Sequence, residues 1–282
     1  MRRSLLLFGL IALLLAGILS AQLISVKDLS AKMDDENLVI VSARKTSDYN
    51  TVHIKGAMHL WHEDLEKPGA VKGLLKSPDD VAKILGEKGI SETNKIVLYC
   101  DTGVRAGRLY WVLDYLGVED LHILDGQMKA WRKARKPVTK DATVLESTTF
   151  TPSVNADVFA TMDYVKNNKD KAGVVLVDVR SPEEFNGEKG EASRKGHIPG
   201  AINFEHKQII TEDETLIPQA EMKSLFNNAG ITADKEIILY CETSLRTGII
   251  YFALKSLLGY GNVKVYDGGI YEWAATASNP ME

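Results

Sequence analysis

The chain has 282 residues, 45% of them hydrophobic and 26% charged, which is ordinary globular composition and enough for two domains that each bury a core. A net charge of −4, with no aromatic residues interleaved among Lys/Arg runs, excludes nucleic acid as the partner.

The N-terminus reads differently from the rest. Arg2 and Arg3 precede an almost wholly apolar run from Leu5 to Leu19, and Ser20, Ala21 and Gln22 return the chain to polar composition. A charged start, a short apolar core and a small residue at the exit predict a secretory signal peptide over residues 1–21, cleaved after Ala21. The run is shorter than the roughly 20 residues of a spanning helix, and an uncleaved N-terminal anchor is the rival reading. The expectation is an exported, periplasmic protein with no stable membrane span once the signal is removed.

The remaining elements come twice. The first copy has a helical run from Val26 to Met33, a strand Leu38–Ser42, the turn His53-Ile-Lys-Gly-Ala57 and a helix opened by Ser77-Pro78. A strand Ile96–Cys100, a helix reaching Leu116-Gly117, a short strand His122–Leu124, Asp125-Gly126 and Trp131 follow. The second copy has a helical run from Ala156 to Val165, a strand Val174–Asp178, the turn His197-Ile-Pro-Gly-Ala201 and a helix from Gln219 to Phe226. It continues with Ile237–Cys241, a helix reaching Leu258-Gly259, a strand Val263–Tyr266, Asp267-Gly268 and Trp273. Matching pairs (Cys100 with Cys241, Asp125 with Asp267, Trp131 with Trp273, His53 with His197) keep a near-constant offset, so whole domains are duplicated and only loop lengths differ. The strands are unbroken apolar runs alternating with amphipathic helices, which predicts two α/β domains, each a mostly parallel sheet flanked by helices. The first spans residues 22–136 and the second 153–282. Between them, residues 137–152 carry Pro137, Pro152 and several threonines and read as a linker.

Each cysteine ends a buried strand and opens a short polar loop that leads into a helix: Cys100-Asp-Thr-Gly-Val-Arg105 and Cys241-Glu-Thr-Ser-Leu-Arg246. In an open parallel sheet, chemistry sits beyond the carboxyl ends of the strands. Loop amides and a helix N-terminus favour an anion there, so a thiolate of lowered pKa is expected. A disulfide between matching positions of separate domains is not expected.

With these motifs in view, the sequence resembles the tandem-domain rhodanese-type sulfurtransferases over nearly everything after residue 21. The resemblance rests on Asp178-Val-Arg-Ser-Pro-Glu-Glu-Phe185, Gly196-His-Ile-Pro-Gly-Ala-Ile-Asn-Phe204, the two cysteine loops, and Asp267-Gly-Gly followed by Trp273. It implies two rhodanese-like domains and a cysteine that takes sulfane sulfur from a donor such as thiosulfate or 3-mercaptopyruvate. The cysteine would carry that sulfur as a persulfide and pass it to a thiol or cyanide acceptor. Both loops are Cys-x4-Arg, one residue tighter than the Cys-x5-Arg ring of phosphatases of the same fold, which sets phosphatase chemistry aside.

The second domain keeps Asp178, Arg180 and Pro199 but has Ser244 where the family usually has glycine. The first keeps Gly103 but has Ser42-Ala-Arg44 in place of Asp-Val-Arg. Cys241 is therefore expected to be the principal catalytic residue and Cys100 the second. Arg246, Arg105 and Arg180 are the expected substrate-binding residues, although Arg180 reads equally as a salt-bridge partner of Glu183 or Glu184. Asp101 and Glu242, directly after the cysteines, oppose thiolate formation and an incoming dianion, which leaves the donor open. No cofactor and no metal are expected, since two cysteines in separate domains supply no zinc-type pair. His53 and His197 are expected to pin turns, and Trp131 and Trp273 to pack in cores. The rival readings are a persulfide-binding or sulfur-carrier module without turnover, and an oxidation sensor built on two exposed thiolates.

Overall fold

The computed structural model of the chain describes residues 22–282, so the expected signal peptide lies outside the described residues. The first half contributes strands β1 (Leu23–Ile24), β2 (Leu38–Ser42), β3 (His53–Ile54), β4 (Met58–His59), β5 (Lys95–Tyr99), β6 (Leu121–Leu124) and β7 (Val138–Thr139). The second contributes β8 (Phe159–Ala160), β9 (Val174–Asp178), β10 (Ile202–Asn203), β11 (Glu236–Tyr240) and β12 (Val263–Tyr266). Each half forms a five-stranded parallel sheet, ordered β1-β6-β5-β2-β4 and β10-β9-β11-β12-β8; the second order is the first read backwards. Helices cover both faces, which is why the central strands β2, β5, β9 and β11 are apolar without alternation. The fold is thus the expected pair of α/β domains.

Local chemistry sets the element boundaries. The helix Pro78–Glu87 starts where Ser77 Oγ accepts the Asp80 amide at 3.2 Å, with proline in its first turn. The expected helix Ala156–Val165 is broken instead. Phe159 and Ala160 leave it to pair with Val265 and Tyr266 as an edge strand, and a new helix, Met162–Asn168, begins at Thr161, whose Oγ accepts the Tyr164 amide at 3.1 Å. A two-residue edge strand is too short to imprint a period on the sequence.

The helices that leave the two cysteine loops pack on each other and join the domains. They are Val104–Tyr115 and Thr247–Tyr251, the latter continuing with π-helical pitch over Phe252–Leu257. They cross at Gly107 and Gly248. A Cβ on Gly107 would lie 2.4 Å from the Ile249 nitrogen, and one on Gly248 would lie 2.2 Å from the Gly107 carbonyl carbon, so only glycine permits this approach. Tyr110 meets Phe252 edge-on at 4.8 Å, and its hydroxyl lies 2.8 Å from Ser256 Oγ. One hydrophobic cluster runs through the crossing, joining Leu109, Trp111 and Leu113 to Ile250 and Leu254.

Trp131 and Trp273 are buried in separate clusters of their own domains, their indole N–H groups donating to Pro137 O at 2.9 Å and Pro280 O at 2.8 Å. The segment between the sheets lies along the first domain. Its β7 pairs antiparallel with β3, Thr148 N donates to Gly86 O at 2.8 Å, and Ser153 N donates to Leu116 O at 2.9 Å. Among the described residues, no helix is long and apolar enough to cross a membrane.

Candidate active site

Cys241 lies one residue beyond β11 and Cys100 one residue beyond β5, both fully buried and both free thiols. Each sulfur sits inside its loop and accepts a backbone N–H: from Arg246 at 3.3 Å for Cys241, and from Gly103 at 3.1 Å for Cys100. Closing so tight a loop requires a left-handed residue. Gly103 supplies it with φ 83° and Ser244 with φ 55°. A serine is strained there, and its hydroxyl is correspondingly tied down. It accepts from the Arg108 guanidinium and lies 3.0 Å from Asp267 Oδ1 and 2.6 Å from Thr243 O.

The expected lowering of the thiol pKa is overturned. Burial pushes the Cys241 thiol up and the Glu242 charge adds to this, while the Arg246 charge and the amides of Thr243 and Arg246 pull the other way. Burial likewise raises Cys100, where amides of Ala106, Thr102 and Arg105 oppose it and Asp101 reinforces it. The two buried thiols also remove the basis for a sensor built on exposed thiolates.

Arg246 stands at the loop mouth, but it is not a free cation. It makes a two-pronged pair with Glu184, Nη1 to Oε2 and Nη2 to Oε1 both at 2.8 Å, and also contacts Glu242. Burial works to raise Glu184, yet the Arg246 hydrogen bonds outweigh it and hold that carboxyl well below the usual range. Burial and the neighbouring Glu184 raise Glu242, so Glu242 is the carboxyl that protonates first. The sequence offered Glu184 only as a partner of Arg180, and its place beside Arg246 was missed; locally it forms a capping box with Ser181, Ser181 N donating to Glu184 Oε2 at 3.1 Å.

Arg180 takes neither Glu183 nor Glu184 as partner. It is buried against Asp178, Nη2 to Oδ2 at 2.6 Å and Nε to Oδ1 at 2.9 Å, and donates to Gly196 O at 2.8 Å. In the first domain Ser42 stands where Asp178 stands in the second. Arg44 therefore turns outward to Asp101 at 2.7 Å and to the carbonyls of Asp48 and Val52.

Arg105 does not close over its own cysteine as Arg246 does. It lies over the Trp61 ring, 5.3 Å from the centroid, and lines a cavity of about 970 Å³ between the domains. The other wall of that cavity is the second cysteine loop, through Thr243 and Leu245, with Tyr271 beside them. The first loop faces a smaller cavity of about 550 Å³, where Asp101 and Thr102 meet Arg44, Lys129, Lys133 and Glu214. Each domain also reaches across to the other: Leu75 N donates to Asp267 Oδ2 at 2.7 Å, and Leu216 N donates to Asp125 Oδ1 at 3.2 Å. The Asp-Gly motifs thus hold the partner domain's loop beside each cysteine loop. His53 and His197 pin turns through Nδ1, donating to Tyr49 O at 2.7 Å and Phe185 O at 2.9 Å.

Comparison with known proteins agrees with this duplicated architecture. The Rhodanese-like domain model matches residues 25–134 and again 161–276. The thiosulfate sulfurtransferase of Azotobacter vinelandii is 32% identical over 258 residues, covering 90% of this chain and 94% of that protein. The thiosulfate sulfurtransferase of Pseudomonas aeruginosa is 31% identical over 90% of this chain and 94% of its own length. Among solved structures, wild-type EanB superposes with a TM-score of 0.86 at 26% identity, covering 94% of this chain and 70% of that one. The anaerobic ergothioneine biosynthesis enzyme from Chlorobium limicola, solved with its natural substrate trimethyl histidine, gives 0.85 at 26% identity, over 93% of this chain and 70% of that one. Two rhodanese-like domains, each with a cysteine wrapped by its loop at the end of a parallel strand, make this chain a tandem-domain member of the rhodanese-type sulfurtransferase family.

Proposed function

We propose that the chain moves sulfane sulfur through a persulfide on Cys241, with thiosulfate or 3-mercaptopyruvate as donor and a thiol or cyanide as acceptor. With thiosulfate, the Cys241 thiolate attacks the outer sulfur, the S–S bond breaks, and sulfite leaves with the electron pair. An acceptor nucleophile such as cyanide then takes the outer sulfur of the persulfide and returns the thiolate. Loop amides are placed to carry the charge that builds on sulfur in both steps. An EanB structure that holds ergothioneine linked to a cysteine persulfide supports a persulfide on this scaffold.

The single observation that carries the choice of Cys241 is the position of the two loop arginines. Arg246 remains over its own loop and offsets part of the thiol's raised pKa, whereas Arg105 has left Cys100, whose charged neighbour is Asp101. Thiocyanate production from thiosulfate and cyanide tests the proposal. Cys241→Ser should abolish it and Cys100→Ser should reduce it less; equal losses in the two variants would overturn the assignment. A protein that accepts sulfur yet shows no turnover would instead be a carrier. The expected signal over residues 1–21 supports the further proposal that this activity is exported, which fractionation of cells expressing the full chain would test.

A further inference from the structure

The Arg105 guanidinium is left without a polar partner in the fold. Among the described residues it has neither an ion pair nor a hydrogen bond, and its Nε is buried without a partner. A buried donor left unpaired costs about 1–3 kcal/mol unless something binds it. The guanidinium lies over the Trp61 ring, 5.3 Å from the centroid, a contact that uses none of its N–H groups. The cavity it lines is also cationic. Lys67, Lys72 and Lys76 share it, and of the acids present Glu66 is already engaged by His62 at 2.9 Å, leaving Glu63 and Glu191.

At about 970 Å³ the cavity is far larger than thiosulfate or cyanide needs. Arg105 stands on the wall supplied by the first domain, while the loop around Cys241 forms the other. A molecule that spans the cavity meets Arg105 at one end and the Cys241 loop, through Thr243 and Leu245, at the other.

We propose that Arg105, seated over Trp61, binds the carboxylate of an organic thiol acceptor whose sulfur reaches Cys241, so that the first domain's cysteine loop sets acceptor specificity for the second. This rests on the persulfide reading above. The acceptor thiolate attacks the outer sulfur of the Cys241 persulfide and a new S–S bond forms. The bond between the two persulfide sulfurs breaks, and its electron pair stays on Cys241 as thiolate. The acceptor departs as a persulfide, with charge and electrons balanced and no further oxidant or reductant.

The test uses protein loaded with sulfur on Cys241 beforehand and follows a single turnover with straight-chain mercaptocarboxylates and the mercaptoalcohols of the same lengths. Intact mass first confirms the loading; its failure would defeat the persulfide reading itself and is thereby distinguished. Wild type should prefer the acid to the matched alcohol at one or more chain lengths. Arg105→Gln, which keeps a planar group over Trp61, should cut that preference about tenfold, and Arg105→Lys should retain part of it. An acid-to-alcohol ratio unchanged in Arg105→Gln would overturn the proposal. So would a loss confined to loading from 3-mercaptopyruvate, which would make the bound carboxylate the donor's. Because the ratio is taken within one variant, a general loss of stability does not mimic the result.

Discussion

Arg108 of the first domain and Asp267 of the second lie 3.0 Å apart with side chains only 2% and 4% exposed. Arg108 follows Cys100 in the chain, yet its guanidinium serves the other cysteine loop, through Ser244, and also donates to Gly73 O at 3.0 Å. The first domain thereby braces the loop that carries Cys241. Removing one member of a buried pair leaves the other charge uncompensated, at a cost of about 3–5 kcal/mol. Arg108→Met should lower the denaturation midpoint by a corresponding amount and slow sulfur transfer at Cys241. A variant with wild-type stability would show that Asp267 is held by other groups.

Arg246 carries a related lesson. Expected from sequence as a substrate-binding residue, it also holds two carboxylates in place. Arg246→Ala leaves Glu184 and Glu242 facing each other without their cation. It should lose stability on the order of 1–3 kcal/mol as well as transfer rate. Adding Glu242→Gln should return part of that stability, measured by urea denaturation as a double-mutant cycle. Strict additivity would mean that the three groups do not act as a unit.

Glu242 raises the Cys241 thiol, after burial itself. Glu242→Gln removes that charge while keeping a side chain that can face Arg246, whereas a lysine would set two cations against each other. The pH of half-maximal alkylation of Cys241 by iodoacetamide should fall by roughly one unit. In the wild type, alkylation should still be rising above pH 9. A plateau near neutral pH would contradict the buried, raised thiol.

His206 links the site to acid stability. Burial and the Arg246 charge lower it to about 4, and its Nδ1 lies 3.2 Å from Val179 O. Between its ordinary pKa of 6.5 and about 4, the unfolded chain binds a proton that the folded chain refuses. Stability from this group is therefore complete above pH 6.5 and is lost as pH falls, by about 3 kcal/mol in all. His206→Gln should flatten the melting temperature across that range; an unaltered slope would assign the loss to other groups.

The duplication, the parallel sheets and both cysteine loops were legible in the sequence because a repeated order of apolar strands and turn motifs records them directly. What was not legible depends on the two copies meeting. Arg105 and Arg108 sit in the first loop and helix by number, but the crossing at Gly107 and Gly248 turns both toward the second domain. A single-chain pattern carries no trace of that exchange. The ion-pair partner of Arg180 was misread for a simpler reason. Glu183 and Glu184 are its neighbours in sequence, but Asp178 shares its strand end and is buried with it, and burial selects the partner that can be desolvated together with it.

The central claim is that sulfur resides on Cys241. Purified protein incubated with thiosulfate, then weighed intact and mapped by peptide after mild alkylation, tests it most directly. The account predicts a gain of one sulfur atom per chain, mapped to Cys241, retained in Cys100→Ser and absent in Cys241→Ser. A gain that persists in Cys241→Ser and maps to Cys100 would contradict it.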